Sequence, residues 1–151
     1  MPRYIPIPDD ILFRNVLTGE PQMIVNAQTR ESRARILSFR EFFLDVAIHH
    51  PILATVKGGR ALYKFEQSYD EAVKSDRVMM LDEDVWSTFK KIVTEPVYQV
   101  QTVNGPQTLE GFPGYHGANM MQLLPFIDAI EEAPVKKPAA LKSIADEIDV
   151  D

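Results

Sequence analysis

His49 and His50 stand side by side, and His116 is the third histidine of the chain. Histidine suits both metal binding and proton transfer near neutral pH, so chemistry is sought there first. Adjacent helical residues point about 100° apart, so His49 and His50 do not converge on one ion; no His-x-x-x-His or His-Glu-x-x-His spacing occurs. The acidic run Asp82-Glu83-Asp84 has the charge for a divalent cation. It stands at a helix start, however, where carboxylates cap free N–H groups and offset the helix dipole. An EF-hand is excluded because the alternating acids and the glycine are missing. Lys57-Gly58-Gly59-Arg60 is too short for either glycine-rich phosphate cradle and reads as a helix break. The serines at 32, 38, 68, 75, 87 and 143 include no G-x-S-x-G elbow. The expectation is therefore no catalytic residue, no cofactor, no metal, and a protein that is not an enzyme.

Charge and composition narrow the partners. The net charge of −6 argues against a nucleic-acid footprint, which needs concentrated Lys and Arg. The most basic run, Arg30, Arg33, Arg35 and Arg40, is interrupted by Glu31 and Glu41 and reads as a solvated helix face or a protein contact. No cysteine is present, so there is no disulfide frame and no thiolate ligand, which is compatible with a reducing compartment. No apolar run reaches the 18 residues of a membrane helix, and MPRYIPIPDD lacks a signal-peptide core, so a cytoplasmic protein without membrane partners is expected. At 151 residues and 45% hydrophobic, the chain holds one sizeable core with appendages. The six methionines, with pairs at Met79-Met80 and Met120-Met121, read as core filler before they read as an adaptable groove.

The elements follow from spacing. Three prolines in residues 2–8 predict an extended arm or edge strand. Ile11 to Leu17 and Met23 to Val25 flank Thr18-Gly19-Glu20-Pro21, an irregular hairpin, and 28–36 reads as loop or exposed helical turn. Ser38-Phe39-Arg40-Glu41 is a capping box opening a helix that Pro51 closes. A helix from about Arg60 to Lys74 follows the Gly58-Gly59 break, and Val78 to Leu81 reads as a short buried strand. LDEDVWSTFKKIVTEP, Leu81 to Pro96, is the clearest helix: Asp82 caps it, Val85, Trp86, Phe89, Ile92 and Val93 form one stripe, and Pro96 stops it. Val97 to Val103 alternates with period two, and Asn104-Gly105 predicts a hairpin whose return strand is shortened by Pro106. Asn119 is the expected cap of a helix through Ile130, kinked or delayed by Pro125. Pro134 and Pro138 bracket a linker, after which Leu141, Ile144, Ala145 and Ile148 mark a short amphipathic helix. No internal repeat is apparent.

The fold class expected is mainly α within α+β: a small helical core with short β-hairpins, an extended N-terminal arm and a C-terminal docking helix. Residues 1–30 form the arm and hairpin, 31–133 the core with a hairpin insertion near 97–116, and 134–151 the linker and terminal helix. Phe39, Phe42, Phe65, Trp86, Phe89, Leu123 and Ile127 are the expected core. Leu141, Ile144, Ile148, Tyr98, Val100, Phe112 and Tyr115 are the expected partner contacts.

The order of four of these pieces resembles small accessory proteins encoded among the structural genes of tailed bacteriophages. They are T-G-E-P (Thr18 to Pro21), the Phe-rich capped helix (Ser38 to Ile48), L-D-E-D-V-W (Leu81 to Trp86) and Q-L-L-P-F-I-D-A-I (Gln122 to Ile130); the resemblance in which they are the landmarks spans about half the chain. Val97 to His116 looks like an addition to that pattern. The resemblance implies a virion structural or assembly protein (connector, neck, tail component or tail-assembly chaperone). Its partners would be other phage structural proteins or further copies of itself, in the host cytoplasm during assembly, with presence in the virion left open. The alternative is a small acidic regulatory or inhibitor protein that binds a host enzyme.

Overall fold

All eight phenylalanines are buried, and the fold is the arrangement that hides them together. The computed structural model describes residues 1–112, 114–115 and 117–138. The chain begins with strands β1 (Arg3–Pro6), β2 (Ile11–Leu12), β3 (Met23–Val25), β4 (Ser32–Ala34) and β5 (Ile36–Leu37). Helix α1 (Phe39–His49), a 3₁₀ turn (Pro51–Ala54) and helix α2 (Val56–Val73) follow. Strand β6 (Val78–Leu81) then leads into α3 (Glu83–Thr94), the hairpin β7 (Val97–Thr102) and β8 (Gly105–Glu110), and the helices α4 (Ala118–Gln122) and α5 (Leu124–Glu131). The protein is thus mixed α+β, 43% helical and 24% strand. The strand content exceeds a mainly helical reading in part because residues 11–37 contain four short strands and no helix.

Every sheet among the described residues is a two-stranded antiparallel ladder: β1 with β6, β2 with β5, β3 with β4 and β7 with β8. No ladder provides a platform, so side chains join the elements. Phe39, Phe42 and Phe43 of α1 meet Phe65 of α2, Phe89 of α3 and Phe126 of α5, with ring centroids 4.5–6.1 Å apart. Leu123 and Ile127 belong to the same buried cluster. Trp86 lies at its edge, its Nε1–H donating to the Ile130 carbonyl at 2.7 Å, which fixes the end of α5 on α3.

The N-terminal segment takes the edge-strand alternative and is part of this body. Ile5 and Ile7 are buried, β1 is paired over its length with β6, and Tyr4 N–H donates to the Pro134 carbonyl at 3.0 Å. Arg3 donates to both carboxylate oxygens of Glu83 (3.0 and 3.2 Å) and to the Ala133 carbonyl, while its guanidinium lies 3.8 Å from the Trp86 ring centroid. The same contacts tether the Pro134–Pro138 stretch, which Lys137 anchors further through Asp76 at 2.8 Å.

Local details depart from the sequence pattern for identifiable reasons. Helix α2 begins at Val56 and runs through Gly58-Gly59, because Thr55 Oγ1 accepts from Gly58 N–H and caps it. A Cβ on Gly58 would stand 2.0 Å from the Ile52 carbonyl oxygen, so this glycine permits the 3₁₀ turn to press on α2; Gly59 faces open space. Asp82 occupies the N-cap of α3 without a side-chain capping bond, and Gly117, not Asn119, precedes α4. Leu123 separates α4 from α5, and Pro125 sits in the first turn of α5, where its missing N–H costs nothing. In the β7–β8 hairpin the tip is Val103-Asn104, with Gly105 at φ 103°, and β8 is a full six residues. Pro106 fits because a two-stranded ladder has an outer edge that needs no donor.

Replacing Trp86 by Ala removes a buried ring and the bond to Ile130, and should lower unfolding free energy by about 3–5 kcal/mol in chemical denaturation. In the same assay Gly58→Ala should destabilise by about 2 kcal/mol or more through overpacking, whereas Gly59→Ala should stabilise by about 0.5–1 kcal/mol through helix propensity.

Candidate interaction surfaces

Residues 11–37 build the most distinctive surface from three backbone hydrogen bonds. Phe13 N–H donates to Arg35 O (2.9 Å), Arg35 N–H to Gln22 O (2.8 Å) and Gln22 N–H to Phe13 O (2.8 Å). This closed triangle is a three-way β junction. Its stem is β2 with β5, one branch is the turn closed by the Arg14–Pro21 bridge, and the other is the β3–β4 hairpin. Within residues 28–36, Ser32–Ala34 and Ile36 are strand, and 28–31 complete the tip of the β3–β4 hairpin.

Both branch tips have the same construction. In the first, the Asn15 side chain accepts from Leu17 and Thr18 N–H, Thr18 Oγ1 accepts from Glu20 N–H, and Asn15 N–H donates to Glu20 O. In the second, Asn26, Gln28, Thr29 and Glu31 repeat every one of these bonds. The pattern is N-x-x-T-x-E, read at Asn15 to Glu20 and again at Asn26 to Glu31. This short repeat, eleven residues apart, is the signal that the sequence reading passed over.

The junction is fastened to the body at its root. Phe13 is buried, with Arg35 stacked 4.7 Å from its ring centroid and 5.5 Å from that of Tyr115. Gln122 of α4 grips the Arg14 backbone at both ends, accepting from its N–H at 2.8 Å and donating to its carbonyl at 2.9 Å. Asn119 Oδ1 accepts from Gln22 Nε2 at 2.7 Å. Beyond the root the branches are open: Leu17 is 92% exposed, and Met23, Ile24 and Val25 are exposed on both faces of β3. Arg30 and Arg33 lie on the same branch without an ion pair among the described residues.

The other candidate residues are placed differently. Phe112 and Tyr115 are buried against Phe42, at 5.5 and 6.0 Å between ring centroids, so they are core and not partner contacts. Their loop looks exposed in sequence because its three glycines and Pro113 suggest surface, whereas both rings turn inward. Tyr98 and Val100 are half-buried, with β7 resting on α1 and the 3₁₀ turn. Leu141, Ile144 and Ile148 lie outside the described residues, as does His116. His50 is buried and serves the backbone: Nδ1 accepts from Ile52 N–H, which leaves Nε2–H to donate to the Glu95 carbonyl at 3.2 Å. His49 bonds the Asp45 carbonyl. The described residues contain no group of three or more His, Cys, Asp or Glu side chains that could hold a metal ion, and no helix long and apolar enough to cross a membrane.

No family model, curated protein or solved structure matches this chain.

Burial pushes the Tyr115 phenol up to about 12, with help from the Asp45 carboxylate that accepts its hydrogen bond. The neutral phenol is thus favoured in the folded state, relative to an ordinary value of 10.0. Its contribution to stability is complete below pH 10 and is lost as pH rises toward 12. Titration of tyrosine absorbance should show a late component that is absent in Tyr115→Phe; a wild-type curve identical in shape to the variant's would contradict the placement.

Proposed function

We propose that this chain is a non-enzymatic structural or assembly protein of a tailed bacteriophage that works by protein–protein contact. The three-way junction of residues 11–37 would be its main contact element. Its partners are other phage structural proteins or further copies of itself, met in the host cytoplasm during assembly. The supporting observation is the β3–β4 branch. A two-stranded hairpin is marginal on its own, and this one shows three consecutive apolar residues to solvent on both faces. Rigid tips and a clamped root reduce the ordering cost of binding, as an element built to meet a partner requires.

The test is a tagged protein expressed during infection, followed through gradient fractionation with the phage's structural proteins. Wild-type protein should co-sediment with heads, tails or assembly intermediates, and the double variant Leu17→Asp, Ile24→Asp should lose at least tenfold of that association at unchanged melting temperature. A wild-type protein that fractionates apart from every virion component, or a variant that associates normally, would sink the reading.

A further inference from the structure

We infer that the cleft between the first half of α2 and the start of α3 is a binding site for a small organic dianion, an apolar body carrying a phosphate or a pair of carboxylates. The cleft has a volume of about 370 Å³, within the ~300–1,000 Å³ range of small-molecule sites. Ala61 of α2 and Val85 and Thr88 of α3 are buried and form its floor. Thr88 Oγ1 donates to the Asp84 carbonyl at 3.0 Å, so its hydroxyl hydrogen is already engaged and the floor is apolar in character. Lys57, Arg60 and Lys64 line the cleft from α2 and are exposed.

These three cations stand where the fold gives them no support. Side chains three and four positions apart share a helix face, so Lys57 neighbours Arg60 and Arg60 neighbours Lys64, two like-charge contacts that weaken a helix. None of the three has an acid three or four positions away, and the first acid of α2, Glu66, bonds Arg40 instead. Lys57 also occupies the first turn, where the helix dipole disfavours a cation. Ion pairs elsewhere hold Arg3, Arg40 and Lys137, but none among the described residues holds these three. Asp84 is the single acid lining the cleft, so three cations against one acid leave a local charge of +2.

A dianion neutralises that charge and relieves the repulsion along α2. Charge alone would leave the floor of Ala61 and Val85 uncovered, and an apolar molecule alone would leave the cations facing one another. One ligand with both parts satisfies both. No residue of the cleft belongs to the junction of residues 11–37, so the site stands independently of the role proposed for that junction.

Phenyl phosphate titrated into the full chain at low salt, followed by amide chemical shifts, tests this. Saturable shifts should centre on residues 56–64 and 84–88. Inorganic phosphate lacks the apolar body and benzyl alcohol lacks the charge, and each should bind at least about tenfold more weakly. The variant Lys57→Gln, Arg60→Gln, Lys64→Gln should lose at least about the same factor for phenyl phosphate. Its melting temperature should hold or rise, because the substitutions remove repulsion and no ion pair. Shifts scattered over the surface, inorganic phosphate binding as tightly as phenyl phosphate, binding indifferent to the substitutions, or a variant that melts lower and so assigns the cations a structural role, would each overturn the inference.

Discussion

Ring-on-ring packing holds the elements of this chain in one body. Backbone pairing never extends past two strands in the described residues, so no sheet carries the helices. The buried phenyl rings perform that role. Phe39 alone meets Phe43, Phe65 and Phe126, and Phe42 meets Phe43, Phe112, Tyr115 and Phe126. Edge-to-face geometry dominates, with interplanar angles of 66–77° for five of these pairs, and each such pair adds about 0.5–1.5 kcal/mol beyond area burial. The network continues from Phe42 through Tyr115 to Phe13, so it also seats the root of the three-way junction.

A second constraint closes the chain on itself. Arg3 brings a cation to the Trp86 face, and the bidentate bond to Glu83 holds that carboxyl below the usual carboxylate range. The guanidinium satisfies both Glu83 and the carbonyl of Ala133, just past α5, which a lysine's single point charge would not reproduce. First strand, third helix and last helix therefore share one junction, and residues 134–138 leave it in a defined direction, toward Asp76.

Helices were legible in the sequence wherever start, stripe and stop signals agreed, as in α1 and α3. Ser38 caps α1 through Glu41 N–H as its spacing requires. What escaped was everything set by contact between distant segments. Gly58 reads as a breaker, but it is a helical residue excluded from side chains by the Ile52 carbonyl, a fact that lies in tertiary approach and not in local propensity. Phe112 and Tyr115 sit in a glycine- and proline-rich loop whose composition says surface, yet their rings complete the aromatic network. The junction of Phe13, Gln22 and Arg35 joins residues up to 22 positions apart, and no periodicity marks a backbone triangle. Its branch tips were legible in principle, through the paired N-x-x-T-x-E pattern, because side-chain turns depend on residue type at fixed offsets.

The two tips differ at one informative place. Gly19 in the first has φ 73°, and the corresponding residue of the second, Arg30, has φ 60°. Glycine takes that conformation freely; a residue with a Cβ pays about 1–2 kcal/mol for it. The bonds around both tips are the same, so the turn itself does not demand arginine. Position 30 instead sets a guanidinium at the end of the branch that exposes Met23, Ile24 and Val25. Residues 14–35 carry four arginines against two glutamates, a net of +2 in a chain of net −6, so −8 resides elsewhere. Backbone strain that local structure does not need, located at the tip of a basic and apolar projection, points to surface chemistry as the reason for the residue.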